Sequence, residues 1–443
     1  MSVIFEPEFN QEGLVVSKVN PIAEDLIRRT AAYVPDLDAD DADKPSATKP
    51  WENWLKAELG FRNHWYPTEA SRNIPDRGHK AIKLLGEDIL FIRRGGKLYA
   101  IEDRCSHRGT RFSMRPICYT DDTITCWHHA FTFNLDDGRI RCLLNDPDSS
   151  LAGNKGIKSY PVREEKGIIF TFIGDIEPPP LEQDLPPGFF DEDMAVCVAD
   201  PYIVNANWRL GSEGGYDPGH HFIHNWSRYS INARIPMTYG WVSKKENLLE
   251  TSLYQKIDNG PKGFTRIASE TSMAMGATIP GRNGEADTEI VLPIAAGQTP
   301  EEIELLGKSN YTTTVGAWLP CGLLVDPWPF PGVMHNEYYV PRDENSHYYF
   351  QCGWTRAKDA KEAEEWANGD LGQVRWKVPV ADDFTVQDAE AREGIAKFYF
   401  EEDGWQQEQP ALFDIELLMW RVFAGDNARG IQEKRHTKGL FKR

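Results

Sequence analysis

No stretch of about twenty consecutive apolar residues occurs in the 443-residue chain, so nothing in it has the makings of a membrane-spanning helix. The opening residues, MSVIFEPEFNQEG, show no basic cluster followed by an apolar core of the kind that directs secretion. Cysteine is scarce: seven, an odd number in so long a chain, do not make the framework of a secreted disulfide scaffold. A positive charge balance is missing too. The formal charge of −19 is the wrong sign for gripping nucleic acid or an anionic membrane, both of which need a basic footprint. Internal repeats are also lacking. These absences lead us to expect a soluble, cytoplasmic protein.

What is present is ample material for a large core. Hydrophobic residues make up 40% and aromatics 12%, including 14 Trp, and the length favours two domains. Residues 1–60 read as an N-terminal extension packing with the catalytic part, its first 50 residues polar with the acidic stretch Asp36-Leu37-Asp38-Ala39-Asp40-Asp41. Residues 61–175 form short alternating apolar runs with glycine turns. There, Ile89–Arg93 and Lys97–Ile101 flank Gly95-Gly96, and Phe131–Leu135 precedes Asp136-Asp137-Gly138, both hairpin patterns. A proline-rich link, Glu177-Pro178-Pro179-Pro180 and Pro186-Pro187-Gly188, opens the remaining part, 176–443. That part mixes strand-like stretches at 311–319 and 347–353 with a helix over 388–400, so the whole reads as α+β: a small all-β module and a larger mixed one.

Two constellations carry chemistry. In the first, C-S-H at Cys105–His107 is followed after eighteen residues by C-W-H-H, placing Cys105, His107, Cys126 and His129 on two separate turns. Each turn contributes one Cys and one His, which suits a Rieske [2Fe–2S] centre, where two thiolates hold one iron and two imidazoles the other. Structural zinc also takes Cys₂His₂, but usually from a C-x₂₋₄-C pair followed by a His pair. The other five cysteines (Cys118, Cys142, Cys197, Cys321 and Cys352) have no such spacing and read as ordinary buried thiols. Arg104, Arg108, Arg111 and Arg115 make the first loop locally basic, either as a docking patch for an acidic electron donor or as arginines pairing with Asp103 or Asp121.

In the second, D-P-G-H-H-F-I-H, His220 and His224 stand four apart and on a helix would share a face. Two imidazoles and a distant carboxylate make the facial triad of non-haem Fe(II) oxygenases. His221 and His224, three apart, are an alternative pair. Asp217, three residues before His220, favours His220 because its carboxylate can orient that imidazole. For the third ligand, Asp382, Asp383, Asp388 and Glu390 remain open on spacing alone.

With these motifs in view, the chain resembles the terminal oxygenases of Rieske non-haem iron systems, in the subgroup containing carbazole 1,9a-dioxygenase and 2-oxoquinoline 8-monooxygenase. The resemblance runs from about Phe61 to Gly430 through F-R-N-H-W-Y-P, I-T-C-W-H-H-A-F-T-F, L-P-C-G-L-L-V and A-R-E-G-I-A-K-F-Y. It implies a Rieske domain plus a helix-grip catalytic domain, with His220, His224 and Asp388 on a mononuclear Fe(II). It further implies a homotrimer in which Asp217 bridges His220 to the His129 of a neighbouring chain. Gly215, His221 and Phe384 are the implied pocket residues. The implied activity is electron transfer from a ferredoxin or flavin reductase, ultimately from NAD(P)H, to activate O2 for hydroxylation of an aromatic or heteroaromatic substrate, dihydroxylation before monooxygenation or demethylation. The chain departs from the wider pattern at His128, at Gly214-Gly215 and at His221. A Rieske electron carrier and a zinc-stabilised binding module are the rival classes.

Overall fold

The computed structural model describes residues 21–34, 48–228, 241–242, 253–256, 264–273, 277–290, 312–329 and 331–439. The acidic stretch at 36–41 lies outside them. Residues 64–173 form three small antiparallel sheets. One pairs His64–Ala70 with Ile168–Ile173 and Val162–Glu165, and the next runs His79–Leu84, Glu87–Arg94, Lys97–Glu102, Ser159–Tyr160. The hairpin at Gly95-Gly96 is as the sequence predicts: both glycines adopt positive φ, 56° and 76°, which a two-residue turn between right-twisted strands requires. The third sheet, Thr123–Thr125, Phe131–Asn134 and Ile140–Leu143, carries the Cys126–His129 turn between its first two strands. A separate small core of Leu90, Ile101, Phe112, Ile124 and Phe133 packs with Cys105 and Cys126.

The larger part is built on a nine-stranded antiparallel sheet. Its central strands are Val333–Asp343 and Ser346–Arg356, with Gly322–Asp326 and Thr312–Trp318 beyond. Helices Trp208–Tyr216, Val386–Glu401 and Ile415–Asn427 pack with this sheet. Upstream residues are tied to them. Arg29 ion-pairs Asp426 at 2.6 Å, Trp54 donates its indole N–H to Glu213, and the Trp208 indole donates to Ala57 O at 2.8 Å. The proline-rich link is no free spacer, since Leu181, Asp184 and Leu185 within it are buried.

Three expectations need correction. The histidine segment Pro218–Trp226 is a 3₁₀ helix, not an α-helix; Pro218 opens it and the Asp217 carboxylate caps it by accepting from Gly219 N at 2.7 Å. Cys118 and Cys142 are only half-buried. The loop arginines do not pair with Asp103 or Asp121. Arg104 pairs with Glu102 and Arg111 with Asp88, both at 2.9 Å, because buried Asp103 already accepts from Ser113.

Candidate active site

Both ligand turns of the small module close on their own backbone. Gly109 N donates to Cys105 O at 2.8 Å and Ala130 N to Cys126 O at 2.9 Å; Gly109 and Ala130 both have positive φ. Cys105 and Cys126 are buried at 2% exposure, whereas His107 is exposed and His129 half-exposed. Thiols inside and imidazoles outside is the polarity a cluster at a loop tip requires. The two imidazole rings meet edge to face at 4.6 Å, and the His107 ring stacks on Phe131. Burial pushes the Cys105 thiol up to about 12, with Cys126 alongside adding to the rise, while the N–H groups of His107 and Arg108 aimed at its sulfur oppose it. A metal reverses that balance, since a coordinated thiol gives up its proton. His128 faces Thr110, Nδ1 to Oγ1 at 3.1 Å.

In the larger part, His220, His224 and Asp388 offer ligand atoms that all lie within 4.8 Å of one another. Asp388 Oδ1 is 3.5 Å from His220 Nε2 and 3.7 Å from His224 Nε2. Each Nδ1 is committed elsewhere: that of His220 to the main-chain carbonyl of Asp217, and that of His224 to Phe384 O at 3.0 Å. A carbonyl only accepts, so both Nδ1 atoms carry the hydrogen and both Nε2 lone pairs face the carboxylate. The Asp217 carboxylate therefore does not itself orient His220; its main-chain oxygen does. Phe384 also stacks its ring on His224 at 3.7 Å. Burial holds the His224 imidazole neutral, lowering its pKa to about 4. Of the rival carboxylates, Asp382 ion-pairs Lys377 at the surface, Glu390 is exposed, and Asp388 alone meets the two histidines.

A pocket beside the triad is lined by Gly215, His221, Val315, Trp328, His335 and Phe384. Gly215 is there for a packing reason, because a Cβ would stand 1.9 Å from Tyr339 Oη. His335, Glu337 and Arg392 are absent from the sequence-level expectation. The Trp376 indole N–H donates to His335 Nδ1 at 3.0 Å, so His335 carries its hydrogen on Nε2 and donates it to Glu337 Oε1 at 2.6 Å. Tyr339 Oη donates to Glu337 Oε2. Desolvation raises the Glu337 pKa, but its bond to His335 and the charge of Arg392 outweigh it and bring the value down to about 2. The signal was available in H-x-E on a strand, where positions two apart share a face, and in Arg392 at one helical turn from Asp388.

Residues 64–161 match the Rieske [2Fe–2S] domain, and residues 172–432 match the family described as homotrimeric ring hydroxylase. The chain belongs to the homotrimeric ring hydroxylases. It is 37% identical to the terminal oxygenase component of carbazole 1,9a-dioxygenase from Metapseudomonas resinovorans, across 88% of this chain and 97% of that relative. It is 38% identical to the Sphingomonas sp. counterpart over the same shares. Among solved structures, the terminal oxygenase of carbazole 1,9a-dioxygenase from Nocardioides aromaticivorans IC177 superposes with a TM-score of 0.75 at 34% identity, covering 88% of this chain and 100% of that one. The oxygenase in a reduced oxygenase–ferredoxin complex of carbazole 1,9a-dioxygenase gives 0.75 at 33%, covering 89% and 96%.

This ring hydroxylase is a Rieske-type aromatic-ring-hydroxylating enzyme, and its family implies a [2Fe–2S] cluster and a mononuclear iron. The residues present fit both groups: paired buried thiols below two outward imidazoles, and two Nε2 lone pairs facing one buried carboxylate. No helix among the described residues is long and apolar enough to cross a membrane.

Proposed function

We propose that the chain is the oxygenase component of a cytoplasmic multiprotein system, reduced by a ferredoxin that draws on NAD(P)H, and that it dihydroxylates an aromatic or heteroaromatic ring. Cys105, His107, Cys126 and His129 hold the cluster on this reading, and His220, His224 and Asp388 hold the iron. When bound, the cluster delivers single electrons and the iron supplies the dioxygen chemistry. The observation that carries the reading is the convergence of both Nε2 lone pairs on buried Asp388 beside a pocket with an open face.

The chain's own residues do the rest. Phe384 holds His224 in place through its carbonyl and its ring. Trp328, Val315 and Phe384 supply apolar and aromatic walls for a flat substrate. His335 has both nitrogens committed inside the protein and offers the pocket no polar handle. His221, half-buried on the pocket wall, supports a substrate carrying a polar atom. Asp217, its carboxylate on Gly219 N, is positioned to meet the half-exposed His129 of an adjoining copy in the trimer, and so to link the two metal sites across subunits.

The test is product analysis. The reduced system, supplied with labelled dioxygen, is incubated with a panel of fused heteroaromatics and aromatic acids. Two labelled atoms in one product are expected. A single labelled atom would shift the reading to monooxygenation, and no oxygenated product from any compound, with iron and cluster loaded, would refute it.

A further inference from the structure

Arg392 is a buried cation beside the proposed iron ligands. It is 3% exposed, and one of its terminal nitrogens lies 3.5 Å from Asp388 Oδ1 and 4.0 Å from Glu337 Oε2. Neither terminal nitrogen makes a hydrogen bond, and the guanidinium sits over the rings of Tyr339 and Tyr349 at 4.8 and 4.6 Å. A fixed cation this close to a carboxylate repels a second cation at the same carboxylate, and burial magnifies the effect. Glu337, near the same guanidinium nitrogen, is 5% exposed and receives hydrogens from His335 and Tyr339. With the imidazoles neutral, the two carboxylates and one guanidinium sum to a single negative charge. Without Glu337 the sum is zero, and the pull of the site on a divalent metal is weakened.

We propose that Glu337 is the charge-balancing residue of the iron site: it offsets Arg392, so that the site as a whole keeps a net negative charge that favours a divalent cation. It is a positioning residue, acting through Arg392. The inference rests on the reading that His220, His224 and Asp388 hold the iron.

The test titrates Fe(II) anaerobically into full-length protein whose Rieske cluster is intact by its visible spectrum. The readout is the dissociation constant of the mononuclear iron, which needs no turnover. Glu337→Gln keeps the shape and can still accept from His335; it is expected to weaken Fe(II) binding about 10- to 100-fold. Arg392→Met, with Glu337 kept, is expected to bind Fe(II) at least as tightly as wild type. The double variant is expected to recover to within about threefold of wild type. A purely structural role predicts weaker binding in both single variants and no recovery in the double. That pattern, or wild-type binding by Glu337→Gln, overturns the proposal. If Glu337→Gln fails to assemble its cluster, the Arg392→Met sign decides, weaker binding being the refuting result. His224→Ala separates the layers: if it keeps the mononuclear iron, the ligand reading has failed, whereas its loss beside an unaffected Glu337→Gln removes only the charge balance.

Discussion

At the scale of single residues, the candidate iron site is decided by hydrogen bonds that spacing does not show. His220 and His224 lie in a 3₁₀ segment, where residues three apart eclipse, so His221 and His224 are the pair that shares a face. Their backbone positions favour that pair. Main-chain carbonyls of Asp217 and Phe384 turn the rings of His220 and His224 onto Asp388 instead. Gly215 shows how little slack remains nearby. Gly215→Ala would put a methyl 1.9 Å from Tyr339 Oη, which is itself bonded to Glu337. Overpacking of this kind costs about 1–3 kcal/mol. The expected outcome is a lower apparent unfolding temperature together with reduced mononuclear iron content, measured by thermal melting and metal analysis. An unchanged melting temperature would mean that Tyr339 moves aside freely.

Among the elements, two that build the site depart from regular patterns. Helix Val386–Glu401 was visible from composition, yet it buries only Asp388 and Arg392, two charges four residues apart. No apolar stripe marks such a face, so periodicity assigns the helix without its orientation. The stretch Gln373–Phe384 is a π-helix containing Pro379, with Thr385 N reaching back to Val380 O at 3.1 Å, and it delivers Trp376 and Phe384 to the site. Nothing in its sequence announced this, although π segments often sit at functional sites. The basic cluster loop is weaker than its composition suggests. Arg104 and Arg111 are neutralised by Glu102 and Asp88, and Arg115 lies over Trp127. Arg108 remains exposed, near His129. Steering of an acidic donor then rests on Arg108 and the exposed, still-charged Arg115: Arg108→Glu is expected to slow reduction by ferredoxin by roughly tenfold at low salt, with the difference shrinking as salt screens it. Stopped-flow bleaching of the cluster at several ionic strengths checks this; equal rates would remove the patch from the docking account.

For the whole molecule, the small module and the larger part are joined by a buried clamp. His64 Nε2 accepts from Arg429 N at 3.1 Å, so its Nδ1 donates to Asp184 at 2.9 Å, and Asp184 also receives Trp65 N and Arg429. Strand, proline-rich link and C-terminal segment thus meet at one fully buried carboxylate. Burial lowers the pKa of His64 and brings that of His347, whose Nδ1 donates to Ala206 O, down to about 3. Both histidines are neutral when folded and titrate near 6.5 when unfolded. The unfolded chain therefore binds more protons below that value. The stability these groups contribute is complete above about pH 6.5 and is lost as pH falls toward the folded values. The apparent unfolding temperature is expected to decline between about pH 7 and 5, and His347→Gln, which removes one titrating group, to flatten the decline. Equal slopes in the two proteins would exclude His347 as a contributor.

The chemistry-bearing residue types and their local grouping came from the sequence alone. A C-x-H turn and a C-x-x-H turn need only short-range chain geometry, and the Gly95-Gly96 hairpin announces itself through glycine. The D-x-x-H-H-x-x-H segment was legible as a metal candidate on the same grounds. What the sequence could not decide was everything that depends on groups far apart in the chain. Spacing left Asp382, Asp383, Asp388 and Glu390 open and only the family resemblance pointed to Asp388; its burial against His220 and His224 came with the fold, and locating Glu337 and Arg392 took the folding of a strand against a helix some fifty residues later. The reason is physical. A residue's type sets what it can donate, accept or coordinate, but the desolvation and neighbouring charge that give a carboxylate or an imidazole its working state exist only once the chain has closed around it.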